Sequence, residues 1–228
     1  LEVNIMIEVK NLYKSFTVGK EKIDILKAIN LNINKGEFIS IMGPSGCGKS
    51  SLLYLLGGMD NPTKGNIIID GKDYCSMKEK EKSLIRRTKL GFVFQFYNLV
   101  QNLNVEDNIL LPLLLDGKKP DKYKKKLDEI LDIINMTTRR RHTPKELSGG
   151  QQQKIAIARS LIFDPEIILA DEPIGNLDSK SGKEIMNLFK TVNCDLGKTI
   201  VQVTHSYEAS QYGTRTINLK DGQIQEYA

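Results

Sequence analysis

Apolar positions along this chain follow two rhythms, and the alternation between them predicts an α/β protein. A short apolar run at residues 6–9 predicts a strand, and a polar, glycine-bearing stretch at 17–24 predicts a hairpin-like loop. Ile29, Leu31 and Ile33 then alternate with polar neighbours, as a half-buried strand over 25–33 requires. Asn34-Lys35-Gly36 turns the chain into a fully apolar strand at 37–42, and Leu52, Leu53, Leu55 and Leu56 open a helix at residue 51. A further strand and turn follow at 66–71, and the early strands read as an antiparallel unit separate from the strand at 37–42. Between about 95 and 144 the period changes: Leu127, Ile130, Leu131 and Ile134 recur at i, i+3, i+4 and i+7, an amphipathic helix within a helical lobe. Strand and helix alternate again after residue 151. A helix is predicted at 152–162 and buried strands at 167–170 and 199–203, with a helix face of Ile185, Leu188, Phe189 and Val192 between them. Residues 217–219 and 223–226 close as a hairpin around Asp221-Gly222.

Composition narrows the function classes. A net charge of +5 without an aromatic-interleaved basic stripe gives no case for nucleic acid. The lysines of 118–126 and Arg139, Arg140 and Arg141 read as solvated loop and helix surface, and His142 as a loop residue. The longest apolar run, 109–115, is interrupted by Pro112 and falls far short of the roughly 20 residues a membrane span needs. No leader pattern opens the sequence, which begins on Leu1 with Met6 as a candidate natural start. The three cysteines match no metal spacing and suit a reducing cytosol.

Three stretches carry chemistry. Gly43-Pro44-Ser45-Gly46-Cys47-Gly48-Lys49-Ser50-Ser51 has the G-x-x-x-x-G-K-[ST] form between an apolar strand and a helix. Its glycines let backbone N–H groups face phosphate oxygens at a helix N-terminus; Lys49 would reach the outer phosphates and the Ser50 hydroxyl would be a Mg2+ ligand. Cys47 reads as a small filler in that loop. Asp171 and Glu172 follow the strand at 167–170, at the end where open α/β sheets bind ligands. Asp171 suits Mg2+, and Glu172 the polarisation of an attacking water. Leu147-Ser148-Gly149-Gly150-Gln151 precedes a helix that Ser148 can cap, forming a second anion site. The two anion sites cannot serve one nucleotide unless folding brings them together.

LSGGQ, with GPSGCGKS before it and ILADEP after it, resembles the nucleotide-binding domain of ATP-binding cassette (ABC) transporters over essentially the whole chain. The resemblance implies a P-loop NTPase core with a mostly parallel sheet, an N-terminal antiparallel β part and an inserted helical lobe. All of it would form a single ABC ATPase domain, the core and β part at about 1–95 and 160–228 and the lobe at about 96–159. It implies that Ser148, Gly149, Gly150 and Gln151 of one subunit cap the ATP held by the other's phosphate loop, in a head-to-tail homodimer or a heterodimer with a paralogous ATPase. Gln95 resembles the glutamine that senses Mg2+ and leads into the lobe, Asp178 the aspartate that communicates across the dimer, and His205 the histidine that contacts the γ-phosphate. Phe16, or else Tyr13, fits the aromatic that stacks on adenine.

IRRTKLGFVFQFYNL, VEDNILLPLLL, LSGGQQQ and ADEPIGNLDS resemble the branch of macrolide-exporter, lipoprotein-release and bacitracin-resistance ATPases. Ile174, Ser206 and Lys154 depart from that branch, where Thr, Asp and Arg are usual. The resemblance implies an ATPase, peripheral on the cytoplasmic face of the membrane, that powers a separate permease in export, peptide resistance or mechanical transmission. Chromosome-maintenance ATPases would need a long coiled coil between Lys49 and Ser148, where only about a hundred residues lie. Translation-factor types would need two cassettes. The apolar residues after Gln95, Phe96 and Tyr97 above all, form the expected permease contact.

Overall fold

The computed structural model describes residues 4–225. Glu226, in the predicted closing hairpin, lies outside them. Two sheets form the frame. A four-stranded antiparallel sheet has the order β2-β1-β4-β5, with β1 at Ile5–Val18, β2 at Glu21–Asn34, β4 at Lys64–Ile69 and β5 at Lys72–Asp73. The second has six strands. Five of them run parallel: β9 (Arg215–Lys220), β3 (Phe38–Met42), β8 (Thr199–Thr204), β7 (Ile167–Asp171) and β6 (Leu90–Val93); β10 (Gln223–Gln225) pairs antiparallel with β9 at one edge.

Period-two alternation in the parallel strands divides the interior into two cores. Phe38, Ile168, Ala170 and Ile200 face one side, where they pack with α3 (Val105–Leu115), α4 (Lys124–Ile133), α5 (Gly149–Leu161) and α6 (Ser179–Cys194). Ile39, Ile41, Ile167, Leu169, Val201 and Val203 face the other, against α1 (Lys49–Leu56) and the inner face of the antiparallel sheet. Both faces of these strands are therefore covered, which explains why they read as continuous apolar runs.

Three local features differ from the sequence pattern. The loop expected at 17–24 is mostly strand: β1 and β2 pair through Thr17↔Lys22 and Val18↔Glu21, leaving Gly19-Lys20 as the tip. Polar side chains on an exposed ribbon resemble a loop in composition. A helix, α2 (Glu79–Thr88), occupies a charged stretch with no apolar stripe to announce it. Pro112 does not break the apolar run, since α3 continues through it to Leu115 with Ile109, Leu110 and Leu113 buried. In addition α5 begins at Gly149, ahead of the predicted 152, because Ser148 caps it directly: its Oγ accepts from Gln151 N–H.

Candidate active site

The strand order brings the chemical stations together. The loop after β3, Gln95 after β6, Glu172 after β7 and His205 after β8 all emerge at carboxyl ends of adjacent parallel strands. A cavity of about 450 Å3 lies there, lined by Ser45, Gly46, Gly48, Lys49, Ser50, Ser51, Gln95, Glu172 and His205, with Ile25 of β2 at its edge.

The loop's shape depends on its glycines. A Cβ on Gly43 would lie 2.1 Å from the Leu219 carbonyl oxygen, so the backbone passes too close to β9 for any side chain. Gly48, with φ of 103°, is in a conformation that favours glycine and gives α1 no side-chain cap. The first N–H groups of α1 are thus left for a ligand. Lys49 is 8 % exposed, and its ammonium donates to the carbonyls of Gly43 and Pro44, each at 2.9 Å. Cys47 is buried and turns towards Gly43, as a filler would.

Asp171 is 9 % exposed and, among the described residues, has no cationic side chain paired with it. Two hydroxyls serve it: Ser50 donates to Oδ1 at 2.9 Å and Tyr54 donates to Oδ2 at 2.7 Å. Burial, then the bond to Asp171, pushes the Tyr54 phenol up to about 12. Glu172 sits at φ 45°, a left-handed conformation costing about 1–3 kcal/mol for a residue with a side chain. Its N–H donates to the Val203 carbonyl at 3.0 Å. Its carboxylate meets His205 twice, with Oε1 2.9 Å from Nδ1 and Oε2 accepting from the backbone N–H at 3.3 Å. The imidazole is mostly exposed, and Nδ1 facing Glu172 leaves Nε2 for a ligand.

Second-layer groups hold these stations in place. Gln153 on α5 is fully buried; its amide N–H donates to the Pro173 carbonyl at 2.7 Å and to the Phe94 carbonyl at 3.4 Å, tying the segments of Glu172 and Gln95 to one helix. Gln202 on β8 donates to Ser40 Oγ and to the Ala209 carbonyl, each at 2.8 Å, anchoring α7 (Tyr207–Ser210) just beyond His205. Sequence reading missed Tyr54 and Gln153. The only signal for Tyr54 is its i+4 spacing from Ser50, which sets both on one face of α1.

The remaining predicted residues lie elsewhere in the chain. Ser148, Gly149, Gly150 and Gln151 form the capped start of α5 and do not line the cavity. Asp178 caps α6, accepting from the Lys180 and Ser181 N–H groups at 3.0 Å, and these bonds, that from Ser181 foremost, hold its carboxyl below the usual range. Phe16 is 46 % exposed near the hairpin tip, with Lys14 Nζ 4.6 Å from its ring centre, and does not line the cavity either. Phe96 is 70 % exposed, whereas Tyr97 packs inward against the helical core. Leu110 is buried, but Leu114 is exposed.

Comparison with known proteins shows the family. Residues 26–175 match the family described as ABC transporter. The dimeric post-hydrolysis structure of the ATP-binding cassette MJ0796 of Methanocaldococcus jannaschii, bound to ADP and Pi, superposes with a TM-score of 0.87 at 44% identity, covering 97% of each chain. The macrolide export ATP-binding/permease protein MacB of Bdellovibrio bacteriovorus is 46% identical over 96% of this chain, which spans only 33% of that longer protein. The lipoprotein-releasing system ATP-binding protein LolD of Aquifex aeolicus is 45% identical, with 88% of this chain and 89% of LolD aligned. The chain thus belongs to the ABC transporter family, as one of its ATP-binding and ATP-hydrolysing cassettes.

Proposed function

We propose that this cassette hydrolyses Mg2+-bound ATP in a head-to-tail dimer and so drives a separate membrane permease. One observation carries the nucleotide part. Lys49 and Asp171 are both buried, and neither has an oppositely charged side-chain partner among the described residues. Burying unpaired charges is costly, and a ligand that brings phosphate to one and a cation to the other removes both costs.

The donor set fits Mg2+. Ser50 Oγ and the Asp171 carboxylate offer hard oxygens, and no group of three or more His, Cys, Asp or Glu gathers among the described residues, so phosphate and water would supply most of the coordination. Bound there, the ion neutralises charge developing on the phosphate oxygens. Lys49 and the loop N–H groups bind and orient the phosphates. Glu172 takes the proton of the attacking water as the water oxygen bonds to the γ-phosphorus; the bond from that phosphorus to the bridging oxygen breaks and ADP leaves, while His205 Nε2 contacts the outer phosphate. Gln95, on the same cavity, follows the state of the site and leads into the lobe, about 96–159. The core and β part are then about 1–95 and 160–228. Phe16, exposed but outside the cavity lining, stacks on the adenine where the base extends beyond the cavity.

Ser148, Gly149, Gly150 and Gln151 stand apart from their own chain's cavity, which supports their serving a second copy, or a paralogue, with Asp178 at the junction. The relative MJ0796 is described as dimeric. No helix among the described residues is long and apolar enough to cross a membrane. A cytoplasmic cassette bound peripherally to its permease fits that. The permease contact is a cleft of about 390 Å3 whose apolar wall includes Phe92, Phe94, Leu111, Pro112 and Leu115, together with the exposed Phe96 that follows Phe94 in sequence. Relatives named for macrolide export and lipoprotein release favour an outward-directed system.

Calorimetric titration with MgATP tests the site. The wild-type chain should bind, and Lys49→Ala should weaken binding at least tenfold. A wild-type chain that fails to bind ATP, or a Lys49→Ala chain that binds it equally well, overturns the reading.

A further inference from the structure

We infer that Tyr54 is a positioning residue for the Mg2+ site, its hydroxyl fixing the orientation of the Asp171 carboxylate. The inference rests on the nucleotide and Mg2+ reading above and adds a residue that the motifs do not contain. It starts from helix geometry: Tyr54 is four residues after Ser50 on α1, so the two hydroxyls project from one face, a turn apart. The Asp171 carboxylate, at the end of β7, meets both, taking Ser50 on Oδ1 and Tyr54 on Oδ2. These two hydroxyls are its side-chain hydrogen-bond donors among the described residues.

The two bonds have different fates when a cation binds. Ser50 would itself be one of the oxygens offered to the metal, so its hydroxyl would no longer be free to fix Asp171 independently. Tyr54 lies a helical turn further on and can keep its bond throughout. A carboxylate that is 9 % exposed and held on one oxygen cannot swing freely, so its other oxygen stays aimed at the site. The hydroxyl also satisfies an acceptor that would otherwise be left without a partner in a buried setting. The aromatic ring supplies reach: it carries the donor from the helix to the strand, a span that a short polar side chain on α1 would not cover.

Tyr54→Phe removes the hydroxyl alone, and Tyr54→Leu removes the ring as well. Each is made in the full chain carrying Glu172→Gln, so that ATP persists, and ATP binding is followed by calorimetry as Mg2+ is titrated from EDTA-buffered solution. Both substitutions should raise the Mg2+ concentration for half-maximal effect about tenfold, the usual size for loss of an outer partner of a metal ligand. ATP affinity in EDTA should stay within about twofold, and only Tyr54→Leu should lower the melting temperature appreciably. Substituted chains with the parent's Mg2+ dependence overturn the inference. So does an equal loss of ATP affinity with and without Mg2+, which marks a merely structural role. If the parent chain binds ATP with no response to Mg2+, the metal reading itself fails and takes this inference with it; a parent that responds while Tyr54→Phe does not differ from it refutes the inference alone.

Discussion

If Glu172 is the proposed base, Glu172→Gln should separate binding from hydrolysis at this site. The substitution preserves volume, and Gln at φ 45° bears the same backbone strain as Glu, so the local chain conformation is not confounded with the chemistry. The amide oxygen still accepts from His205 Nδ1, now 2.9 Å from Oε1. The group replacing Oε2 cannot accept from the His205 N–H, but that bond is already long at 3.3 Å, and its loss costs about 1 kcal/mol or less. What disappears is the base. General-base catalysis contributes about 10²–10⁴-fold, equivalent to about 2.7–5.4 kcal/mol of barrier. Phosphate release at saturating MgATP should therefore fall by at least two orders of magnitude, while the calorimetric dissociation constant for ATP stays within about threefold. A Glu172→Gln chain that turns over within threefold of wild type would refute the role given to this carboxylate.

Two further outcomes follow from the same geometry. Phe16→Ala should weaken ATP binding by an amount at the lower end of the roughly 1–3 kcal/mol of a base-stacking contact, since the ring is 46 % exposed, and should weaken GTP binding similarly. If Phe16→Ala is silent in calorimetry and Tyr13→Ala is not, the stacking role passes to Tyr13, which lies beneath Lys64 Nζ at 5.5 Å. Leu115→Glu combined with Phe96→Ala should abolish co-purification with the permease and uncouple transport, while leaving the free cassette's ATP binding intact, because both side chains are exposed in the isolated chain. Normal assembly by that doubly substituted chain would move the docking surface away from the cleft.

The parallel sheet and the cavity were legible because their determinants are local. A buried strand must be apolar on both faces, and a loop that wraps phosphate must spend glycines at fixed spacing, so residues 37–51 announce themselves. The stations at Gln95, Asp171, Glu172 and His205 converge because each ends a parallel strand, a consequence of order and topology together. That Ser148 to Gln151 would serve a different nucleotide from the one held by Lys49 is implied by the resemblance alone; the structure shows these residues only as the capped start of α5, outside the cavity lining. Features decided by tertiary contact were not legible. Gly19-Lys20 is the hairpin tip because Thr17 and Val18 find cross-strand partners, which composition does not record. Pro112 stays within α3 because Ile109, Leu110 and Leu113 are buried around it, so packing outweighs the lost hydrogen bond. Tyr97 looked like a docking aromatic, yet its ring packs on the helical core and its carbonyl accepts from Arg159 at 2.8 Å. Tyr54 and Gln153 escaped notice because each bonds another part of the site, Tyr54 to Asp171 and Gln153 to the Phe94 and Pro173 carbonyls, and has no motif of its own.

The central claim is that two cassettes complete each other's ATP sites, and size-exclusion chromatography with light scattering tests it most directly. Glu172→Gln protein would be run with and without MgATP, beside a chain that also carries Ser148→Arg to obstruct the start of α5. With MgATP the Glu172→Gln chain should elute at twice the single-chain mass and return to one chain mass when ATP is withdrawn, whereas the Ser148→Arg chain should stay single while still binding ATP. A Glu172→Gln chain that binds MgATP yet remains at the single-chain mass at high concentration would contradict the account.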